Sequence, residues 1–281
     1  TNGFYEFNIW TTFRGSGHCS KTQFIYNYSD WFILNRIDTY FDLSHPQRSE
    51  LEKGIAKLLH WHRQSELKKI AEHLKLLKSR YLNGLKGEDI EWMRAEHKIF
   101  WGRILNRAEP DLVAFLATVK ENQVQQMETA LIERDGWLVK QVKMTPEEVH
   151  ASTLEWFFGL LEGWLGDLEQ DQKQQIADWV KTDPEWTVIK LKNRKKSQTH
   201  LAQLLRSNEN LRENMHTWIH QPETHWTDAF KNRLEDKKKE WKEFILKVDT
   251  ITLSHQRQHA ANKIQAYIDD FLILSKQTPA L

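Results

Sequence analysis

The chain has 281 residues, 40% hydrophobic and 28% charged, with a formal net charge of +1. That balance excludes a disordered polymer, and the near-neutral charge provides no global field to draw the chain to nucleic acid or to an anionic surface. No apolar run approaches the ~20 residues of a membrane-spanning helix, since Glu162 interrupts the best stretch, Trp156 to Leu165. Glycine is absent after Gly166, which argues against the tight turns of a β-rich fold. The single cysteine, Cys19, forms no intramolecular disulfide. Most of the 13 tryptophans are expected to act as pins between helices.

Residues 1–23 read as an irregular N-terminal arm or leader. Glu6, Asn8 and Arg14 break up what would be the apolar region of a signal peptide. From residue 24 to residue 281 helical periodicity dominates, and the expectation is one all-α domain. Leu43-Ser44-His45-Pro46-Gln47 opens a long helix, with Ser44 and Gln47 spaced as a capping box. Along it Leu51, Ile55 and Leu58 lead to His62, and the next apolar residue, Leu67, comes five positions on. The stripe then resumes through Ile70, Leu74, Leu77 and Tyr81, and Asn83 to Gly87 form a loop.

Four prolines are each followed by an acid: Pro110-Asp111, Pro146-Glu147, Pro184-Glu185 and Pro222-Glu223. Proline suits the first helical turn and an acid faces the positive end of the helix dipole, so all four mark helix starts. Thr145 and Asp183 stand in front as N-caps, and Thr145 with Glu148 repeats the capping-box spacing. The near-regular proline spacing fits helices of similar length packed side by side, or a helical repeat. Further stripes run from Val149 to Trp164, from Trp226 to Val248 and from Ala260 to Leu274. Leu168-Glu169-Gln170-Asp171-Gln172 and Leu253-Ser254-His255-Gln256-Arg257 are degraded versions of the Leu43 phrase. The architecture expected is an elongated or curved array of antiparallel helices, about seven to nine in number.

Nothing in the sequence assembles a catalytic constellation. There is no Gly-x-Ser-x-Gly elbow, no glycine-rich phosphate loop and no His-Glu-x-x-His helix. The pairs His62/Glu66, His216/His220 and His255/His259 each lie four apart, but none shows a third ligand nearby, so no metal and no cofactor are expected. The basic run Lys190 to Lys196 lacks the interleaved aromatics of a nucleic-acid site and reads as a solvated helix face. The slip of the stripe at His62 leaves a titratable side chain where a core leucine is expected. Trp61, His62 and Glu66 are therefore the candidate binding residues.

Taken in order, several phrases resemble a family of uncharacterised proteobacterial lipoproteins known only as a domain of unknown function. They are Cys19-Ser20, Asp30-Trp31, Asp42-Leu43-Ser44-His45-Pro46-Gln47, Trp61-His62-Arg63, Glu162-Gly163-Trp164-Leu165-Gly166 and Tyr267-Ile268-Asp269-Asp270-Phe271. His18 departs from the pattern, which places a small residue before the lipidated cysteine. The Leu43-Ser44-His45-Pro46-Gln47 phrase also resembles the Leu-Thr-x-x-Gln motif of Spy-type periplasmic chaperones. The resemblance implies a non-catalytic envelope protein, lipidated at Cys19 and facing the periplasm from the outer membrane. Its membrane contact is through the lipid alone, and it binds a protein partner or unfolded client and no nucleic acid. The alternatives are a structural subunit of an envelope assembly and, behind it, a hydrolytic enzyme.

Overall fold

A computed structural model describes residues 21–277. Cys19 and residues 1–20 of the expected arm lie outside the described residues. The arm ends earlier than expected, because Lys21–Asn27 is already helical, with Thr22 and Gln23 buried. All regular structure among the described residues is helical: α1 (Lys21–Asn27), α2 (Ser29–Phe41), α3 (His45–Trp61), a π-helical turn (His62–Glu66), α4 (Leu67–Leu82), α5 (Gly87–Leu116), α6 (Glu121–Arg134), α7 (Gly136–Val142), α8 (Pro146–Leu165), α9 (Gln170–Trp179), α10 (Pro184–Ser207), α11 (Leu211–His220), a 3-10 turn (Pro222–His225), α12 (Asp228–Ile251) and α13 (Ser254–Leu274). No described helix is long and apolar enough to cross a membrane.

These thirteen α-helical segments exceed the number the periodicity suggests. Two breaks are made by Asp and Asn in the left-handed conformation, Asp42 (φ 45°) after α2, and Asn208 (φ 50°) with Asn210 (φ 46°) between α10 and α11. Both residue types tolerate that region, so the chain turns without a glycine or proline to announce it. Two of the four Pro-acid signals are helix starts. Thr145 Oγ1 accepts from the Glu148 N–H at 3.2 Å while Glu148 accepts from the Thr145 N–H at 2.8 Å, a complete capping box. Asp183 accepts from the Trp186 N–H at 3.0 Å. Pro110 instead lies inside α5, a helix held on either side of the proline by packing against α3 and α11. Pro222 opens only the 3-10 turn, and α12 begins later, capped by Thr227.

The rod from residue 45 to residue 82 runs antiparallel along α5. Asp111 lies against Gly54, where a Cβ would stand 3.1 Å from the Asp111 Cβ. Arg103 reaches Glu66, and Asp89 receives Arg80 at 2.7 Å. The α13 helix lies antiparallel on α4, with Ala71, Ile264 and Ile268 between them. One apolar cluster gathers α2, α3, α5, α6, α10 and α11 around Leu51, Val124 and Met215. A second gathers α8, α9, α12 and α13 around Ile176, Phe244 and Val248.

Behind each of these two clusters, two helix corners are tied by a pair of glutamines. At the first, Gln47 and Gln123 exchange amide hydrogen bonds of 3.1 and 2.8 Å. Each Oε1 also accepts from the N–H of its own N-cap residue, Ser44 or Lys120, both at 3.1 Å. Each Nε2 also donates to a carbonyl of the opposite corner, Gln47 to Thr118 and Gln123 to Phe41. The second pair repeats the pattern. Gln172 and Gln256 exchange bonds of 2.8 and 2.9 Å. Their Oε1 atoms accept from Glu169 and Leu253 N–H, and their Nε2 atoms donate to Ile251 and Asp167 carbonyls.

The capping box expected of Ser44 and Gln47 forms, and Ser44 Oγ also donates to Gln47 Oε1 at 3.0 Å. In the last corner Leu253 is the N-cap, and Gln256, three residues on, is the buried amide. The Val119-Lys120-Glu121-Asn122-Gln123 corner went unnoticed because lysine is no cap residue.

Each amide in the second pair fills both donors and both acceptor positions, so removing one member orphans its buried partner. Gln172→Ala and Gln256→Ala are each expected to cost about 2–4 kcal/mol. In a urea-denaturation double-mutant cycle, the double variant should lose well under the sum of the two, with a coupling above ~1 kcal/mol. Gln47→Ala combined with Gln256→Ala, from different pairs, should be additive.

Candidate functional site

The five-residue slip between His62 and Leu67 is a π-helical turn. The Leu67 N–H reaches back to the His62 carbonyl, five residues earlier. The inserted residue rotates the rod, so α3 faces one cluster and α4 faces α13. Such turns accumulate at functional sites, and the surroundings of this one show its use.

Tyr26 of α1 lies 2.8 Å from His62 Nδ1, and its ring stacks on the imidazole. Burial pushes the Tyr26 hydroxyl up to about 12, against the lowering by Arg63, so it stays protonated and donates. His62 Nδ1 accepts, and burial lowers the imidazole's pKa against the opposing pull of Glu66. Arg63 stands 5.1 Å over the Tyr26 ring and donates to Asn27 at 3.2 Å. The Glu66 carboxylate is 1% exposed and receives Lys69 at 2.8 Å and Arg103 at 2.7 Å. Its burial works to raise the pKa, but the hydrogen bonds from Lys69 and Arg103 prevail and lower it. Trp61 meets the edge of His62.

The fold thus brings Trp61, His62 and Glu66 together, as a socket for α1. His62 Nδ1 and the Glu66 carboxylate face partners within the chain, while Trp61 and His62 remain half-buried. Ser44, Gln47, Thr145 and Glu148 lie at helix starts remote from it, and Cys19 lies outside the described residues.

A wide concave feature lies elsewhere. A cleft of about 750 Å³ opens between α7, α8, α9, α10 and α12. Its walls carry Trp137, Trp156, Trp179, Trp186 and Trp241. Trp156 and Trp241 lie 6.2 Å apart, and Trp241 stacks on Phe244 at 5.7 Å. Lys190 Nζ stands 5.6 Å from the Trp137 ring and 5.8 Å from the Trp186 ring. Burial lowers the Lys190 ammonium to about 8, helped by the charges of Arg194 and Lys237 and opposed by Asp183. Lys247 covers Trp179 at 5.7 Å. At the rim Asp183 receives Arg233 and Lys237, which also reach Glu240.

The run from Lys190 to Lys196 is therefore only partly a solvated face. Asn193 is buried and accepts from the Thr227 N–H at 2.8 Å, and Arg194 meets Asp135 at 2.6 Å. The stripes Val149–Trp164 and Trp226–Val248 contained Trp156 and Trp241, but a stripe does not say which of its tryptophans line a cleft.

Residues 39–231 match the family of unknown function DUF6279, about two thirds of the chain. The chain belongs to that family. No curated protein and no solved structure matches it. The matched segment of this DUF6279 member runs from the end of α2 to the start of α12. It includes the π turn, three of the four clasp glutamines and most helices of the cleft.

Two outcomes are expected at the π turn. Glu66→Ala should lower unfolding free energy by about 2 kcal/mol, less than a fully buried pair because its two cations can return to water. The Glu66 contribution is present above its unfolded pKa and is lost as pH falls through its lowered folded value. For His62, lowered in the folded state, the unfolded chain takes the proton first, so stability falls as pH drops below about 6.5. His73 and His225, lowered for the same first cause of burial, add to that fall. Urea midpoints measured from pH 7 to pH 5 should decline less steeply in His62→Asn than in the wild type.

Proposed function

We propose that this protein is a non-catalytic cell-envelope lipoprotein that binds an apolar segment of a protein client in the tryptophan cleft. The observation that carries the reading is the cleft: five indoles wall one cavity, with Lys190 and Lys247 over their faces. Indoles bind apolar and aromatic side chains with little loss of conformational freedom. An ammonium of pKa about 8 is charged at neutral pH and suits a carboxylate flanking the apolar segment. The occupant that fits is an extended, apolar stretch of an incompletely folded chain with an acidic residue beside it, bound without nucleotide.

The envelope location rests on the resemblance carried by Cys19-Ser20, with the protein held at the periplasmic face of the outer membrane. One feature of the described residues supports it. Phe24, Tyr28, Trp31 and Phe32 are 46–58% exposed and lie just beyond Cys19, at the spacing of one helical face. Tyrosine and tryptophan favour the membrane–water interface, and a face so placed suits a protein tethered at its start.

The cleft is tested by aggregation of a reduced, unfolded client such as α-lactalbumin, without ATP. The native chain should suppress it in proportion to its concentration. Trp137→Ala, at a residue 45% exposed, and Lys190→Met should weaken suppression by about tenfold, the size of a lost hot-spot contact, with the melting temperature preserved or raised. Affinity for an acidic client peptide should fall as pH rises through 8, where Lys190 loses its charge. Folding stability should meanwhile rise toward pH 10, because there the unfolded chain holds the proton that folded Lys190 has released. Suppression unchanged in both variants overturns the cleft reading. One stoichiometric partner co-purifying without any suppression favours the structural-subunit reading. Mass spectrometry of the mature native chain tests the anchor, and an unmodified Cys19 overturns it.

A further inference from the structure

The sequence places no third ligand near His216 and His220, but the fold supplies one. His216 and His220 lie one turn apart on α11, and α11 packs against α5. From α5, Glu109 places its carboxylate between the two rings. Glu109 Oε1 is 3.0 Å from His216 Nδ1, and Glu109 Oε2 is 2.8 Å from His220 Nε2. The rings stand 4.5 Å apart, and one ligand atom from each residue falls within 4.8 Å of the other two.

We propose that Glu109, His216 and His220 form a binding site for a borderline first-row divalent cation such as Zn²⁺. Two imidazoles and a carboxylate make a donor set zinc accepts, at bonds of about 2.0–2.2 Å. Those bonds place tetrahedral ligand atoms about 3.4 Å apart. The observed separations, 2.8 Å and 3.0 Å, need to open by only a few tenths of an ångström. Without an ion, two N–H groups converge on one carboxylate.

The geometry also selects which groups stay fixed. Glu109 and His220 are 14% and 18% exposed, whereas His216 is 55% exposed. The open side leaves a fourth position for water or for a donor from another molecule, the arrangement of a three-ligand zinc site with one exchangeable position. Pro110 follows Glu109 within α5. A proline inside a helix is costly, and here it is kept beside the carboxylate, where its fixed φ limits the backbone freedom of the site. Because the three ligands come from two helices, a bound ion staples α11 to α5. This site is separate from the tryptophan cleft, and its test is independent of client binding.

The experiment uses the full chain freed of metal by a chelator and then dialysed. Titration with Zn²⁺ should show one saturable equivalent and raise the melting temperature by several degrees, as expected for a ligand that binds only the folded state. Co²⁺ should bind at the same place and give the intense visible band of a four-coordinate, tetrahedral complex. His220→Ala and Glu109→Gln should each weaken Zn²⁺ at least tenfold, in line with losing one of three protein ligands. The exposed His216→Ala, which disturbs the fold least, should abolish the cobalt band while leaving the metal-free melting temperature in place. His255→Ala with His259→Ala, the other pair spaced four apart, should bind as the wild type does. No saturable equivalent in the native chain overturns the proposal. So does an equivalent that survives all three ligand variants, which would place the ion elsewhere.

Discussion

Where two helices meet at a corner, the chain carries carbonyls it can no longer pair and N–H groups not yet paired. This protein packs two such corners against each other twice, and each time a pair of glutamine amides absorbs the unpaired groups. An amide offers two donors and two acceptor positions. Gln256, 0% exposed, uses them on its own cap, on Asp167 across the junction and on Gln172. A carboxylate could not do this, because it has no donor for the opposite carbonyl. An aliphatic side chain would leave four polar groups buried and unsatisfied. The rest of the fold hangs from these junctions. The first fixes α2 and α3 against α5 and α6, and the cluster around Leu51 and Val124 fills behind it. The second fixes α8 and α9 against α12 and α13, and so sets three walls of the tryptophan cleft.

The π turn follows from the same constraint. With α3 anchored at Ser44 and α4 required on α13, a regular helix over residues 45–82 would aim both halves at one side. One inserted residue rotates α4 by about 100°, the angle a residue adds to a helix. The turn leaves room at the rod's side, and α1 fills it through Tyr26 and Asn27. Gln23 extends the contact by donating to buried Asp270 of α13 at 2.9 Å. The α1 helix is thereby tied to two elements distant in sequence, and the exposed aromatic face of α1 and α2 is held in a fixed orientation. On the proposed anchoring at Cys19, that fixed face lets the tether orient the molecule and not merely retain it.

Much of this was legible in local chemistry. Thr145 and Asp183 announce their caps, and the missing glycines announce helices. The gap from His62 to Leu67 announces a fault in the helix, although not that its side chains would turn inward to hold α1. What stayed hidden depends on distances between remote residues. Gln47 and Gln123 are 76 positions apart, and Gln172 and Gln256 are 84 apart. Nothing in either phrase says that the amides face each other. Lys120 and Leu253 occupy cap positions without cap chemistry, because the glutamine three residues on supplies the acceptor for the cap N–H. Pro110 misleads because tertiary packing overrides its preference. Glu109 was invisible as a ligand because its two histidines lie more than 100 positions away.

The cleft stays open for a reason that also limits what enters it. Five indoles facing one cavity would gain by closing on each other, since burial of apolar area is the strongest attraction available to them. At this rim Asp183, Arg233, Lys237 and Glu240 form a linked set of ion pairs between the start of α10 and α12. Burying such a set costs more than its mutual attraction returns unless every partner is kept, so the helices stop where the network can still meet water. Lys190 stands against both Trp137 and Trp186 and brings a positive charge into the cleft. An entirely apolar groove would take any greasy surface. On the proposed function, one with a partly desolvated ammonium among its indoles favours a segment that brings a carboxylate, and it disfavours a basic segment by like-charge repulsion. Selectivity on that proposal then comes from the Lys190 ammonium, in a cleft that the ion pairs between α10 and α12 hold open.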